Sequence, residues 1–317
     1  MNGGGRNRLR GTGRRLARLP LLGAHLLLGV LIAAALGPGR TRHYRSTAPL
    51  AWWSRGLCRI MGMRVCATGT PYRGAALFVA NHVSWLDIFC IAAVCPTHFL
   101  SKHEVAAWPL FGWLCRRAGT AFIRRGGAGG AGEATEQLTW RLRRGGRVLV
   151  FPEGTSTDGT SVRRFYPRLF HAALLADCPV QAIALQYPRA GGLHPNVPFI
   201  NQDTLLPHLW RLLGEPTVNV LLRFGTVHNP PYPSRDFLAR QTQSEVEALL
   251  RISPARWPAT GDRRTASAVD IGSGDPEPPV DREPPALGVR GHFREHDSRM
   301  RDPTAGAFDG HFGRSYR

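Results

Sequence analysis

Lysine is all but missing from this chain. Lys102 is the only one, so nearly all of the 41 basic residues are arginines. Acidic residues number only 22, and the resulting formal charge of +19 calls for an anionic partner or surface. The arginines are scattered through loops and helix ends, with no block of interleaved aromatics and no nucleic-acid-binding motif. An anionic membrane is therefore the expected partner and nucleic acid is not. Cysteine is sparse and unpatterned: Cys58, Cys66, Cys90, Cys95, Cys115 and Cys178 make no C-x-x-C pair and no zinc-like spacing. Most sit in apolar runs, where a free thiol behaves as a small hydrophobe, and a reduced, cytoplasm-facing domain is expected. There is no internal repeat and no G-x-S-x-G elbow, which removes the most recognisable form of serine hydrolase.

What is present begins with a membrane signal. Residues 1–18 are polar and basic, carrying Arg6, Arg8, Arg10, Arg14, Arg15 and Arg18, and Leu19 to Leu36 then runs without a charge. At a rise of 1.5 Å per residue that stretch makes about 27 Å, near the lower limit for crossing a bilayer core. A signal peptide has the same basic flank and apolar core, with an arguable small-residue cleavage site around Ala33–Gly37. The cytoplasmic character of the rest favours an uncleaved anchor over 19–37. Arg40, Arg42 and Arg45 flank its far end, so the positive-inside rule only weakly favours a cytoplasmic N-terminus. A segment dipping into one leaflet satisfies both flanks as well. Leu50–Val65, with Trp52, Trp53, Leu57, Ile60 and Met61 beside Arg55 and Arg59, reads equally as an interfacial amphipathic helix or as a helix packed on a core.

From about 66 to 226, short apolar runs alternate with helical segments. Strands are expected at Ala75–Ala80, His98–Ser101, Thr120–Ile123, Val148–Phe151, Val180–Leu185 and Val218–Phe224, with helices near 85–94, 109–117, 133–144 and 165–177. The alternation predicts an α/β fold, a central, mostly parallel sheet flanked by helices behind an N-terminal membrane-associated helix. Such sheets carry their sites beyond the carboxyl ends of the strands. Ser234 to Arg251 reads as a capped terminal helix, and the Pro-, Gly- and Asp-rich remainder as a disordered tail. The expected organisation is a basic segment 1–18, an anchor 19–37, a catalytic domain 48–252 and a tail 253–317.

Two constellations fall at strand ends. In the first, the buried run to Ala80 opens into Asn81-His82, with Asp87 five residues on. Inside one regular helix, His82 and Asp87 would stand about 140° apart and could not pair. With His82 in the turn before a helix, Asp87 in its first turn reaches back, holds the ring's tautomer and frees the other nitrogen to take a proton. The plain alternative is that Ser84-x-x-Asp87 is a capping box. In the second, Val148–Phe151 runs into Pro152-Glu153-Gly154-Thr155-Ser156. Between the two, Gly119–Arg125 ends in Arg124 and Arg125, guanidiniums suited to an anionic headgroup or to plain surface solvation.

These blocks resemble the glycerolipid acyltransferases, especially the bacterial 1-acylglycerol-3-phosphate acyltransferases. The family's N-H-x4-D matches Asn81 to Asp87, its G-x-x-F-I-x-R matches Gly119, Phe122, Ile123 and Arg125, and its F-P-E-G-T matches Phe151 to Thr155. A weaker fourth match, Cys178–Ile183, lacks a proline where Ala182 stands. The resemblance covers about 80–185 and implies a fold, a reaction and a set of roles. His82, oriented by Asp87, would deprotonate a lysolipid hydroxyl that attacks an acyl thioester on coenzyme A or acyl carrier protein. Arg125, with Arg124, would bind the acceptor's phosphate, in a pocket shaped by Glu153, Gly154 and Thr155. Asn81, Phe122 and Pro152 would support them. No metal and no bound cofactor is implied, and the enzyme would work at the cytoplasmic face of the inner membrane. The default acceptor is 1-acyl-sn-glycerol-3-phosphate, giving phosphatidic acid. Lyso-ornithine lipid or another lysolipid is the alternative, because Thr157-Asp158-Gly159 resembles the ornithine-lipid branch.

Other readings have less behind them. Gly127 to Gly132 matches G-x-G-x-x-G, with Glu153 twenty-one residues beyond the last glycine. Three residues separate the strand from its first glycine, and the third is expected before the helix, so a glycine linker is the plainer reading. A non-catalytic basic protein that binds nucleic acid or membrane would explain the charge and leave N-H-x4-D and F-P-E-G-T without a purpose.

Overall fold

Ala76–Ala80 has no polar residue on either face, the composition of a strand covered on both sides. In the computed structural model all five of its residues are buried. The structure describes residues 3–35, 47–102, 111–117, 120–123 and 130–252. In chain order the strands are β1 (Met63–Thr68), β2 (Ala76–Ala80), β3 (His98–Lys102), β4 (Ala121–Ile123), β5 (Arg147–Val150), β6 (Val180–Gln186), a two-stranded hairpin β7 (Pro188–Arg189) and β8 (Gly192–Leu193), and β9 (Val218–His228). The helices are α1 (Gly3–Ala35), α2 (Thr47–Ile60), α3 (Leu86–Val94), α4 (Phe111–Arg117), α5 (Gly130–Arg143), α6 (His171–Ala176), α7 (Leu205–Leu213) and α8 (Arg235–Arg251).

Among the described residues, seven strands form one sheet in the order β1-β9-β6-β2-β5-β3-β4. Neighbours run parallel except at β6 and β9, which are antiparallel, so β1 and β9 oppose the rest. The mostly parallel sheet flanked by helices is therefore as expected. Alternation along β2 divides the core. Phe78 and Ala80 face Leu57 of α2, Leu86 and Ile91 of α3 and Leu212 of α7. Leu77 and Val79 face Leu138 of α5, Ala172 of α6 and Leu238 and Val246 of α8.

Three differences from the sequence reading have physical causes. The helix expected to run to Val65 stops at Ile60, because Gly62 takes φ +73° and turns the chain into β1, whose Met63 pairs with Val218. One side of α2 packs on the core through Ala51, Ser54, Leu57 and Cys58, the core-packed alternative, while Trp52 stays exposed. Helix α7 was not legible as such, since Pro207 interrupts the run; in the first turn, proline costs no hydrogen bond.

The N-terminal helix is continuous across the expected junction between basic segment and anchor, with Pro20 inside it. Residues Leu9–Ala35 are long and apolar enough to cross a membrane by length and composition. Yet α1 is docked along the catalytic unit. Arg14 Nε donates to Gly214 O at 2.7 Å, Arg15 Nε to Trp210 O at 3.0 Å, and Arg18 Nη1 to Leu213 O at 3.1 Å and Glu215 O at 2.6 Å. These carbonyls lie at or just beyond the last turn of α7, where the helix itself offers no donor, and a cation there also meets the negative end of its dipole. Farther along, His25 stacks on Trp53 at 4.9 Å. Trp53 Nε1 donates to His25 O at 3.0 Å and His25 Nε2 lies 2.8 Å from Trp53 O. The approach requires glycine at Gly29, where a Cβ would meet Trp53 Nε1 at 2.6 Å. Leu16, Leu19, Leu27 and Leu31 remain exposed on the outer side. The tail beyond 252 lies outside the described residues.

Helix α8 starts at the expected cap, with Ser234 Oγ accepting from Phe237 N at 3.1 Å. It is tied to β9 by Glu245, which accepts from Thr226 N at 2.6 Å and pairs with His228 at 2.8 Å.

Two measurements check this account. Trp53→Ala removes the stack and one hydrogen bond, which for a part-buried tryptophan costs about 2–3 kcal/mol. It should speed limited proteolysis within α1, whereas Trp52→Ala leaves the digestion pattern unchanged. Burial pushes the Glu245 carboxyl up, but the hydrogen bonds from His228 and Thr226 outweigh it and hold the group below the ordinary glutamate value of 4.5. Its contribution is therefore present above that value and lost as pH falls through the lowered one. Glu245→Gln should flatten that part of the acid limb in a denaturation series.

Candidate active site

The site starts where β2 ends. Asn81 closes a bidentate pair with the neighbouring strand, donating to Leu185 O at 2.9 Å and accepting from Leu185 N at 2.8 Å. With the chain clamped there, His82 emerges at the carboxyl edge of the sheet. Helix α3 begins only at Leu86, so His82 lies in the preceding loop and Asp87 in the first turn, the arrangement that lets them meet. His82 Nδ1 stands 2.8 Å from Asp87 Oδ2.

Asp87 is completely buried and serves four donors. Its Oδ2 accepts from Val83 N at 2.7 Å and Ser84 N at 3.0 Å as well as facing the ring, and Oδ1 accepts from Tyr187 Oη at 2.6 Å. The capping alternative is thus half present, since the carboxylate does reach back to Ser84 N, but Ser84 Oγ turns to Leu86 N at 3.4 Å instead. Capping and orienting are done by one carboxylate. A carboxylate only accepts, so this pairing assigns the ring proton to Nδ1 and leaves the Nε2 lone pair open. Burial, reinforced by the charge on Asp87, pushes the Tyr187 phenol well above its ordinary value, which keeps it a donor.

The F-P-E-G-T segment comes in from β5, the other neighbour of β2. Phe151 lies under the imidazole, with ring centroids 4.1 Å apart and planes 19° from parallel. Glu153 is buried and uses both oxygens on backbone: Oε1 accepts from His82 N at 2.7 Å and Oε2 from Arg163 N at 2.8 Å. Burial raises its pKa, and those two hydrogen bonds partly offset the rise. Pro152 is buried and its carbonyl accepts from Tyr166 N at 3.0 Å, while Gly154 takes φ +69° in the turn and Thr155 is exposed. Thr157 N donates to His82 O at 2.8 Å, and a Cβ on Gly159 would lie 3.3 Å from Val83 Cγ2. The run Thr157–Gly159 therefore packs directly against the histidine loop.

The structure brings together Asn81, His82, Asp87, Pro152, Glu153, Gly154 and Thr155. Phe122 sits on β4, three strands from β2 in the sheet order, and Arg124 and Arg125 lie outside the described residues. Tyr187 is a neighbour that sequence reasoning did not single out, and Phe151, matched only as the first residue of F-P-E-G-T, was given no role there. No local spacing could reveal Tyr187, which is 100 positions from Asp87 and arrives only because β6 lies beside β2. The glycine-rich rival loses its acidic partner, because both Glu153 oxygens are occupied. One detail of it is corrected: α5 begins at Gly130, so Gly132 stands inside the helix and not before it. No group of His, Cys, Asp and Glu able to hold a metal occurs among the described residues.

Comparison with known proteins bears on this geometry. A family model described as Acyltransferase matches residues 64–186, the span from β1 to the end of β6. The lyso-ornithine lipid O-acyltransferase of Pseudomonas aeruginosa is 42% identical over 254 residues, 74% of this chain and 95% of that protein. The 1-acyl-sn-glycerol-3-phosphate acyltransferase of Neisseria gonorrhoeae is 32% identical over 167 residues, 53% of this chain and 66% of the other. The crystal structure of the 1-acyl-sn-glycerophosphate acyltransferase of Thermotoga maritima shares the fold with a TM-score of 0.60 at 21% identity, covering 79% of this chain and 99% of that one. A sheet of that fold with N-H-x4-D and F-P-E-G-T meeting at its carboxyl edge, and a relative aligned almost end to end, place the chain in the family of lysolipid acyltransferases.

Proposed function

We propose that this protein is a lyso-ornithine lipid O-acyltransferase that works at the cytoplasmic face of the inner membrane, with His82 as general base. The observation that carries the chemistry is the His82 ring, held at Nδ1 by a buried carboxylate and open at Nε2. Nε2 takes the proton from the acceptor hydroxyl as its oxygen bonds to the thioester carbonyl carbon. The C–S bond then breaks, and the leaving thiolate recovers the proton from the imidazolium. Asp87, Tyr187 and Phe151 position the ring, and Glu153 fixes its backbone. Arg125, with Arg124, Gly154 and Thr155, is assigned to the α-carboxylate of the ornithine headgroup or, with 1-acylglycerol-3-phosphate as acceptor, to its phosphate. The donor is an acyl thioester of coenzyme A or acyl carrier protein, and no resident cofactor takes part.

The choice of acceptor is supported by the Pseudomonas relative and by the place of Thr157–Gly159 against the histidine loop. The second reading, 1-acyl-sn-glycerol-3-phosphate as acceptor, has the Neisseria relative behind it. For the anchor, docking along α2 and α7 favours a helix lying in one leaflet over one that spans. A spanning α1 would carry the polar flank of the catalytic unit into hydrocarbon.

Acyl transfer by membranes carrying the protein tests this reading, with lyso-ornithine lipid and 1-acylglycerol-3-phosphate offered in parallel. Transfer to the ornithine lipid should dominate, and His82→Ala should lower it by about 10²–10⁴ or more. Activity that survives His82→Ala would overturn the base assignment, and labelled phosphatidate as the main product would move the protein to the second acceptor. Tyr187→Phe leaves one buried Asp87 oxygen without its donor. It should cut kcat by about tenfold, roughly 1.4 kcal/mol, with acceptor KM unchanged.

A further inference from the structure

A cleft of about 670 Å³ opens between the arginine-rich half of α1, the β7–β8 hairpin, the end of α7 and the start of β9. That volume lies within the range of about 300–1,000 Å³ usual for small-molecule sites. Among the described residues lining it, Arg14, Arg15, Arg189 and Arg211 face a single acid, Glu215. That acid is already engaged, with Asn196 Nδ2 at 2.6 Å and His194 Nε2 at 3.5 Å. Arg14 and Arg15 are anchored through Nε to backbone carbonyls, and the Arg15 guanidinium also lies over the Trp210 ring at 5.1 Å. Arg211 pairs with Asp203 at 3.2 Å, whereas Arg189 meets no carboxylate among the described residues. The cleft therefore holds a surplus of forked cations suited to phosphate oxygens. Apart from two prolines its lining is polar, charged or glycine, with His194 the one ring among the described residues, so it offers no apolar wall to a lipid tail.

Its place in the fold matters as much as its charge. Pairing of Ala80 with Ile183, and of Gln186 with Leu221, puts the start of β9 at the same sheet edge as His82. The hairpin leaves the end of β6 directly, and Leu193 and His194 also line a small gap with Val83 and Tyr187, the neighbours of the histidine and its carboxylate. On the other side of β2 the order runs β5, β3, β4, and Arg124 and Arg125 follow β4 in sequence. The cleft itself lies on the β6–β9 side of His82, and the acyl donor of the proposed reaction is an anion.

We propose that this cleft seats the phosphate-bearing end of the acyl donor, a phosphorylated pantetheine thioester carried either on coenzyme A or on an acyl carrier protein. The inference rests on the acyltransferase reading above.

Steady-state transfer by the full-length protein tests it, with palmitoyl-coenzyme A and palmitoyl carrier protein as separate donors. Arg189→Ala should raise donor KM about tenfold while kcat and acceptor KM stay within about twofold, and Arg189→Lys should recover part of the loss. A rise for both donors assigns the pantetheine phosphate as the seated group, and a rise for the coenzyme A donor alone assigns the nucleotide phosphates. Unchanged donor KM, or a shift in acceptor KM or in binding to anionic vesicles instead, overturns the proposal. Calorimetric binding of coenzyme A and of holo carrier protein to the His82→Ala protein, with and without Arg189→Ala, reads the cleft without any turnover. If the wild type transfers no acyl chain, the acyltransferase reading fails by itself. Binding about tenfold weaker without Arg189 would still support a phosphopantetheine seat, and equal or absent binding of both would remove it.

Discussion

One buried carboxylate organises the site. Asp87 is sealed from solvent and accepts from two backbone amides, an imidazole and a phenol. A charge in that position is costly unless each lone pair is used, and here both oxygens are. The same contacts that satisfy it define the loop: Val83 N and Ser84 N fold the chain back over the start of α3, and this places the His82 ring. Removing any one donor leaves a buried acceptor short, so loop geometry and ring orientation stand or fall together. Glu153 repeats the device one layer out, holding His82 N and Arg163 N with its two oxygens. Two acids therefore position the histidine, one through the ring and one through the backbone.

The sheet supplies the frame for both. Parallel pairing of β2 with β5 and β6 brings three carboxyl ends to one edge, and each delivers a different part: His82, the Phe151–Thr155 turn, and Tyr187. The clamp between Asn81 and Leu185 locks the first of these to the third. The reversal of β9 brings its opening residues to the same edge, where they meet the end of α7 and the arginines of α1. The membrane helix is thus tied to the sheet edge that carries the chemistry. Its arginines satisfy carbonyls at the end of α7 and Leu22 enters the core, while Leu16, Leu19, Leu27 and Leu31 stay outside.

Much of this was legible from the chain alone. Apolar runs located six of the sheet strands to within a few residues, because buried parallel strands need uninterrupted hydrophobic residues. The pairing of His82 with Asp87 followed from helical geometry once the helix was expected to start after Ser84. Less visible were β1, whose Met-Arg-Val-Cys-Ala-Thr run reads as the end of an amphipathic helix until Gly62 is seen to turn, and α7, which carries a proline. Both are elements whose identity depends on a neighbour: β1 on its pairing with β9, and α7 on the arginines that close its end.

The sequence by itself determined the fold class, the residues able to do the chemistry and the presence of an apolar helix, because hydrophobic period and short motifs are local properties. Tertiary structure alone decided that both oxygens of Glu153 are used on backbone amides. It also brought Tyr187 to the far oxygen of Asp87 and laid α1 along the domain that its composition would allow it to leave. Each of these depends on contacts between segments tens to hundreds of residues apart. Such contacts are set by strand order and helix docking, and no spacing along the chain encodes them.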